Sequence, residues 1–199
     1  MKYDDLQKIV QSPYFSVNDP LLAGERLFPY QLSLWTKKGY LLRLRNGMYA
    51  FAKDKTRIKG EEIAGFLYGP SYLSLETALG WYGFIPEMVY GYVSVTSKIN
   101  RHFINEFGTF TYRHIKAELF WGYIQMKTEN GHILMAEPEK ALLDYLYLNL
   151  RHIETERDFE NIRLNLDAVK ETIDADKYLK YLSAFSVKKM KNWAMKCLP

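Results

Sequence analysis

The chain has one cysteine, Cys197, so an internal disulfide is excluded and a cysteine-based zinc cluster has no second ligand. Cys197 reads as a small buried or terminal apolar side chain. No stretch stays apolar for the roughly 18 residues that a membrane span requires. The opening Met1-Lys2-Tyr3-Asp4-Asp5 has no apolar run behind it. Neither a span nor a secretory leader is therefore expected, and the cytoplasm is the expected location. The chain also lacks a glycine-rich phosphate loop and a Gly-x-Ser-x-Gly elbow. No Asp or Glu stands two positions before a Lys, the spacing that projects a carboxylate and an ammonium together in common metal-dependent nucleases. His102, His114, His132 and His152 have no metal-ligand spacing. These absences argue against an enzyme, and no metal or cofactor is expected.

What is present is a globular composition, 48% hydrophobic and 25% charged over 199 residues, enough for one large domain or two modest ones. The net charge is only +4, but it is unevenly spread. Residues 1–60 hold eleven Lys and Arg against five Asp and Glu, whereas the remainder holds sixteen against eighteen. The change of sign suggests a basic nucleic-acid module joined to a domain with another task.

The most informative stretch runs from Tyr30 to Phe51. Pro29 suits a first helical position and Gly39 the left-handed residue after a helix, so a helix of about three turns is expected between them. Leu32 and Trp35 share its packing face, leaving Tyr30, Gln31, Ser33, Lys37 and Lys38 to meet solvent or a ligand. Beyond Gly39 the period changes to two, and Asn46-Gly47 favours a two-residue hairpin turn. That turn sets Arg45 opposite Met48, Leu44 opposite Tyr49, Arg43 opposite Ala50 and Leu42 opposite Phe51. Arg43 and Arg45 then share one face and the apolar residues the other. With short helices expected at Tyr3–Gln11 and Leu21–Ala23, residues 1–52 form three helices and a wing. Such a winged helix-turn-helix would lay its third helix in the major groove of DNA and set cations of the wing, with Asn46 at its tip, near phosphates. Solvated charged faces are the ordinary alternative.

Residues 53–60 are polar and without period, and are read as a linker that could also touch phosphates. The second domain, 61–199, is expected to be α+β. Two helices, near 61–68 and 74–82, precede an antiparallel sheet of four or five strands over about 90–136, with turns at Phe107-Gly108 and Asn130-Gly131, and helices fill about 137–198. The aromatics of the sheet read as core. Pro138 opens a helix that is apolar nearly all round, expected between the sheet and the last helices. The terminal helix sets Val187, Met190, Trp193, Ala194 and Cys197 on one face and lysines off it.

Four runs together resemble the AbiEi antitoxins: Lys38 to Ala50; Tyr72-Leu73-Ser74-Leu75-Glu76-Thr77-Ala78-Leu79; Tyr82-Gly83-Phe84-Ile85-Pro86-Glu87; and Ala136-Glu137-Pro138-Glu139-Lys140-Ala141-Leu142-Leu143-Asp144. The resemblance spans roughly residues 15–148. It implies a type IV toxin–antitoxin pair whose toxin, AbiEii, is a nucleotidyltransferase. The N-terminal module would repress its own promoter, commonly at inverted repeats, and the C-terminal domain would counteract the toxin without needing a stable complex. It implies DNA contacts at Gln31, Ser33, Lys37, Lys38, Arg43 and Arg45. It also marks Tyr72, Ser74, Glu76, Pro86, Pro138, Glu139, Lys140 and Asp144 as antitoxin-domain motif residues. For Glu139, Lys140 and Asp144, capping and an ion pair are explanation enough. Two monomers can read inverted repeats side by side, so a monomer in solution is expected. The rival reading is a DNA-binding regulator whose C-terminal domain senses a ligand or dimerises, with no toxin partner.

Overall fold

The computed structural model describes residues 1–86 and 90–198. Residues 1–51 form α1 (Tyr3–Ile9), β1 (Tyr14–Ser16), α2 (Asn18–Leu22), α3 (Pro29–Lys37), β2 (Leu41–Arg45) and β3 (Met48–Phe51). Asp5 in the first turn of α1 accepts the Lys2 amide at 3.0 Å, so the acidic start caps the helix as well as matching its dipole. The three strands pair antiparallel in the order β1-β3-β2. β1 has no sequence signal, because three residues after Pro13 are too few to show alternation; its register comes from β3, with Phe15 opposite Tyr49. Leu6, Phe15, Leu32, Trp35, Tyr49 and Phe51 close a small core.

The hairpin corrects the expected register. Asn46-Gly47 does set Arg45 opposite Met48, but Arg43 then pairs with Tyr49, Leu42 with Ala50 and Leu41 with Phe51. Leu44 is the extra residue of a bulge. Freed from the ladder, its side chain leaves the small core for the larger one and is only 3% exposed there. Burying a leucine contributes about 1.5–3 kcal/mol, which outweighs one irregular pair. The Leu44 carbonyl is also occupied, accepting from Asn105 Nδ2 at 3.3 Å.

Of residues 53–60, read as linker, the first five belong to a 3₁₀ helix over Ala52–Arg57. Lys55 pairs with Glu106 at 2.8 Å and Arg57 with Glu129 at 3.0 Å, so two hairpin turns of the larger sheet hold this segment against it. α4 (Gly60–Leu67), β4 (Ser71–Leu73), α5 (Leu75–Trp81), β5 (Tyr92–Thr96), β6 (Arg101–Asn105), β7 (Gly108–His114), β8 (Tyr123–Thr128) and β9 (Gly131–Ala136) follow. The helical remainder is α6 (Pro138–Asn149), α7 (Glu156–Glu160), α8 (Leu166–Thr172), α9 (Ala175–Ser183) and α10 (Lys188–Met195). The chain is thus mixed α and β with a helical C-terminal region.

The larger sheet is not antiparallel throughout, as the sequence suggested. It has six strands in the order β6-β7-β5-β4-β9-β8, with β5–β7 and β4–β9 parallel. The hairpins β6–β7 and β8–β9 were legible because their turns are local, but each turn falls one residue earlier than expected, at Glu106-Phe107 and Glu129-Asn130, with Gly108 and Gly131 already paired in the strands. The parallel neighbours meet across intervening chain, which leaves no periodic mark. β4 was missed because Ser71, Tyr72 and Leu73 are all buried, so polar and apolar residues do not alternate. The expected helix over 158–172 is α7 and α8, separated at Arg163, whose φ of 56° is left-handed and breaks the helix without a glycine. α6 runs where expected, its inner residues from Glu139 to Asp144 all buried, and Cys197 is 1% exposed.

Candidate nucleic-acid interface and the buried motif cluster

α3 is built as its sequence asks, with Pro29 first and Gly39 at φ 72° beyond its end. Leu32 and Trp35 face the core. Ser33, Lys37 and Lys38 are exposed, as is Tyr30, whose ring stacks on Phe28 at 6.0 Å. Gln31 is the exception to the expected free face. It is 6% exposed. Its Oε1 accepts the Phe28 amide at 3.0 Å and its Nε2 donates to the Met1 carbonyl at 2.7 Å. Three residues into the helix, it serves as the return arm of a cap, which is why it folds back rather than outward.

Between α3 and the hairpin lies an open groove of about 500 Å³. Ser33, Thr36 and Lys37 form one bank and Arg43, Asn46 and Gly47 the other. Arg43 Nη2 donates to Asn46 Oδ1 at 2.8 Å, so the turn residue holds the guanidinium at the hairpin's tip. Arg45 does not join it. Its guanidinium lies over the Phe103 ring at 5.7 Å and its Nε donates to Met48 Sδ at 3.0 Å. The bulge at Leu44 separates the two arginines, one to solvent and one to the seam with β6. Thr36, which the sequence reading did not single out, lines the groove because it stands one turn from Leu32 and Ser33 on α3.

The second set of motif residues comes together in the larger core. Lys140 and Asp144, one turn apart on α6, form an ion pair with both side chains 0% exposed. The Tyr72 hydroxyl donates to Asp144 Oδ2 at 2.9 Å and accepts from Lys140 Nζ at 2.9 Å, while the Ser74 hydroxyl donates to the same Oδ2 at 2.9 Å. Burial pushes the Asp144 carboxyl up and the Lys140 ammonium down, and their mutual attraction opposes both, aided on the carboxyl by the two hydroxyls. The ammonium also lies 5.2 Å from the Trp121 ring centre and 5.7 Å from that of Phe185. Gly122, at φ 74°, leaves room for the lysine stem: a Cβ there would stand 3.0 Å from Lys140 Cγ. Leu75, next to Ser74, takes φ 53°, a strained conformation for leucine that no sequence pattern signals.

Glu139 is 2% exposed; its Oε1 accepts the Asp174 amide at 3.1 Å and its Oε2 pairs with Lys177 at 3.1 Å. Lys177 also pairs with Glu137 at 2.9 Å, tying α9 to the start of α6. Glu76 is half-buried in the first turn of α5 and Pro138 opens α6. Pro86 is exposed, and Glu87 of the same run lies outside the described residues. The motif thus divides into a closed interior cluster and helix-end clamps.

Among the described residues no group of three or more His, Cys, Asp or Glu could hold a metal ion, and no helix is long and apolar enough to cross a membrane. Neither a model of a known protein family nor a curated protein matches the chain.

Proposed function

We propose that the protein binds double-stranded promoter DNA through residues 1–52 and acts as the autorepressor and antitoxin of a toxin–antitoxin operon. The observation that carries the DNA reading is the groove between α3 and the hairpin, where Ser33, Thr36 and Lys37 face Arg43 and Asn46. A helix, a strand, two helices and a hairpin, with strand order β1-β3-β2, is the arrangement a winged helix-turn-helix uses. Exposed Lys37, Lys38 and Arg43 make no ion pair among the described residues, so their charge is free for phosphates. The resemblance of the Tyr72 and Pro138 runs to AbiEi antitoxins supports the second role, with a nucleotidyltransferase-like toxin as functional partner.

The test is fluorescence anisotropy with a labelled duplex from the region upstream of the gene, compared with a scrambled duplex. Specific binding is expected, with an affinity that falls steeply with salt; equal affinity for the two duplexes removes the repressor role. For the antitoxin role, the full chain carrying Lys37→Ala, Lys38→Ala and Arg43→Ala is co-expressed with a neighbouring toxin-like gene. Rescue of growth by this variant separates antitoxicity from DNA binding. Failure of both it and the unaltered chain, each folded, removes the antitoxin role.

A further inference from the structure

A second cleft, of about 350 Å³, lies where the N-terminal module meets the larger domain. Tyr14 forms one wall, and Glu62, Phe66, Ser71, Asn130 and His132 form much of the rest. The space exists because small residues line it. A Cβ built on Gly65 would meet nothing within 4 Å, and one on Gly131 would come no closer than 3.9 Å to the Tyr14 hydroxyl. The volume falls at the lower end of ligand cavities. We propose that this cleft binds an uncharged, amino-bearing heteroaromatic molecule of nucleoside size.

Three features point to that chemistry. The rings of Tyr14 and Phe66, 4.9 Å apart at 50°, give the cleft an aromatic wall that suits a flat ring. Glu62 is 2% exposed and fixed by neutral donors: Asn130 Nδ2 at 2.9 Å and the Asn130 and Lys59 amides at 3.3 Å. Burial raises its pKa, and the Thr128 hydroxyl joins these donors in lowering it. Oε2 takes two of these bonds and Oε1 one long amide contact, so a ligand amino group would share the carboxylate with the Thr128 hydroxyl. Ser71 lines the cleft, is 4% exposed, and its hydroxyl has no hydrogen-bond partner. Buried hydroxyls are nearly always paired, and the orphan marks a place where a ligand acceptor completes the set. No Lys or Arg lines the cleft, so a phosphate or carboxylate would meet Glu62 with nothing to balance it. The inference does not depend on the DNA reading, since none of these groups belongs to the α3 groove.

Isothermal titration of the full chain with adenosine, cytidine and guanosine, and with their 5′-monophosphates, tests it. At least one nucleoside is expected to bind with a dissociation constant of about 1 mM or tighter, and its monophosphate more weakly. Ser71→Ala is expected to weaken that binding about tenfold without lowering the melting temperature, because it removes a hydroxyl that bonds nothing in the protein. Gly65→Leu, on an exposed helix position where leucine improves helix propensity, is expected to fill the cleft and abolish binding while the circular dichroism spectrum stays unchanged. Overturning results are no heat from any nucleoside, tighter binding of the monophosphates, or binding that neither substitution alters.

Discussion

Replacing Lys140 by Met is the sharpest probe of the buried cluster. The substitution keeps much of the stem's volume but leaves the Asp144 carboxyl, 0% exposed, with only the Tyr72 and Ser74 hydroxyls as donors. Removing one partner of a buried pair costs about 3–5 kcal/mol, because the remaining charge is neither solvated nor neutralised. For a chain of this size 1 kcal/mol moves the midpoint about 2–4 °C, so Tm is expected to fall by about 6–20 °C. Urea unfolding followed by tryptophan fluorescence gives the free energy directly, with Trp121 beside the lysine as a reporter. Adding Asp144→Asn removes the stranded charge while its amide oxygen still accepts from both hydroxyls, and is expected to restore about 1–3 kcal/mol. The single variant also strengthens a pH signature, because burial already raises the Asp144 carboxyl and the ammonium that opposes it is gone. Without the cation, burial holds Asp144 above its ordinary value of 3.8. Its native state then binds more protons than its unfolded state, and stability rises as pH falls from 7 toward that value. The double variant has no such rise. A loss under about 1 kcal/mol for Lys140→Met, or no recovery on adding Asp144→Asn, refutes the argument that a desolvated charge pair holds β4 to α6.

The two arginines of the hairpin should separate. Arg43→Ala is expected to weaken DNA binding and flatten the slope of log affinity against log salt by about 0.9, one phosphate contact, whereas Arg45→Ala leaves the slope unchanged. Equal slopes for the two variants would place both on the DNA and contradict the bulge. Leu44→Ala is expected to cost about 2–5 kcal/mol and to lower the unfolding of both modules in one transition, because the side chain lies in the shared core; two separated transitions by calorimetry would show that the modules melt independently. At Glu137, burial raises the carboxyl's pKa but the hydrogen bonds from Tyr181 and Lys177 outweigh it, leaving a net depression below 4.5. Its contribution to stability is therefore present above that value and lost as pH falls below it. Lys177→Met is expected to make the acid loss of stability shallower below about pH 4.5, and an unchanged acid transition would remove the clamp from the account.

Local chemistry made much of the chain legible. Pro29 and Gly39 bounded α3, Asn46-Gly47 placed a hairpin turn, Asn130-Gly131 marked a second one residue late, and Pro138 opened α6, each through a conformational preference confined to a few neighbouring residues. The Lys140–Asp144 pair was readable from its four-residue spacing. Its complete burial, and its joining to Tyr72 and Ser74 some seventy positions away, were not. Gln31 looked free because helical spacing cannot show that the Met1 carbonyl waits beside it. Glu62 and Ser71 stand in unremarkable local contexts, so nothing in the sequence marked the cleft they share with Tyr14.

What the sequence determined by itself was most of the helices, the hairpins, the basic character of residues 1–60 and the identity of the most apolar helix, because propensity, turn chemistry and periodicity act over short stretches. The tertiary structure alone decided which strands became parallel neighbours, that β4 lies at the centre of the sheet, and that Leu44 leaves its ladder to join the second core. Each of these is a choice among distant partners made by the apolar area buried and the hydrogen bonds completed, quantities that exist only once the chain has closed on itself.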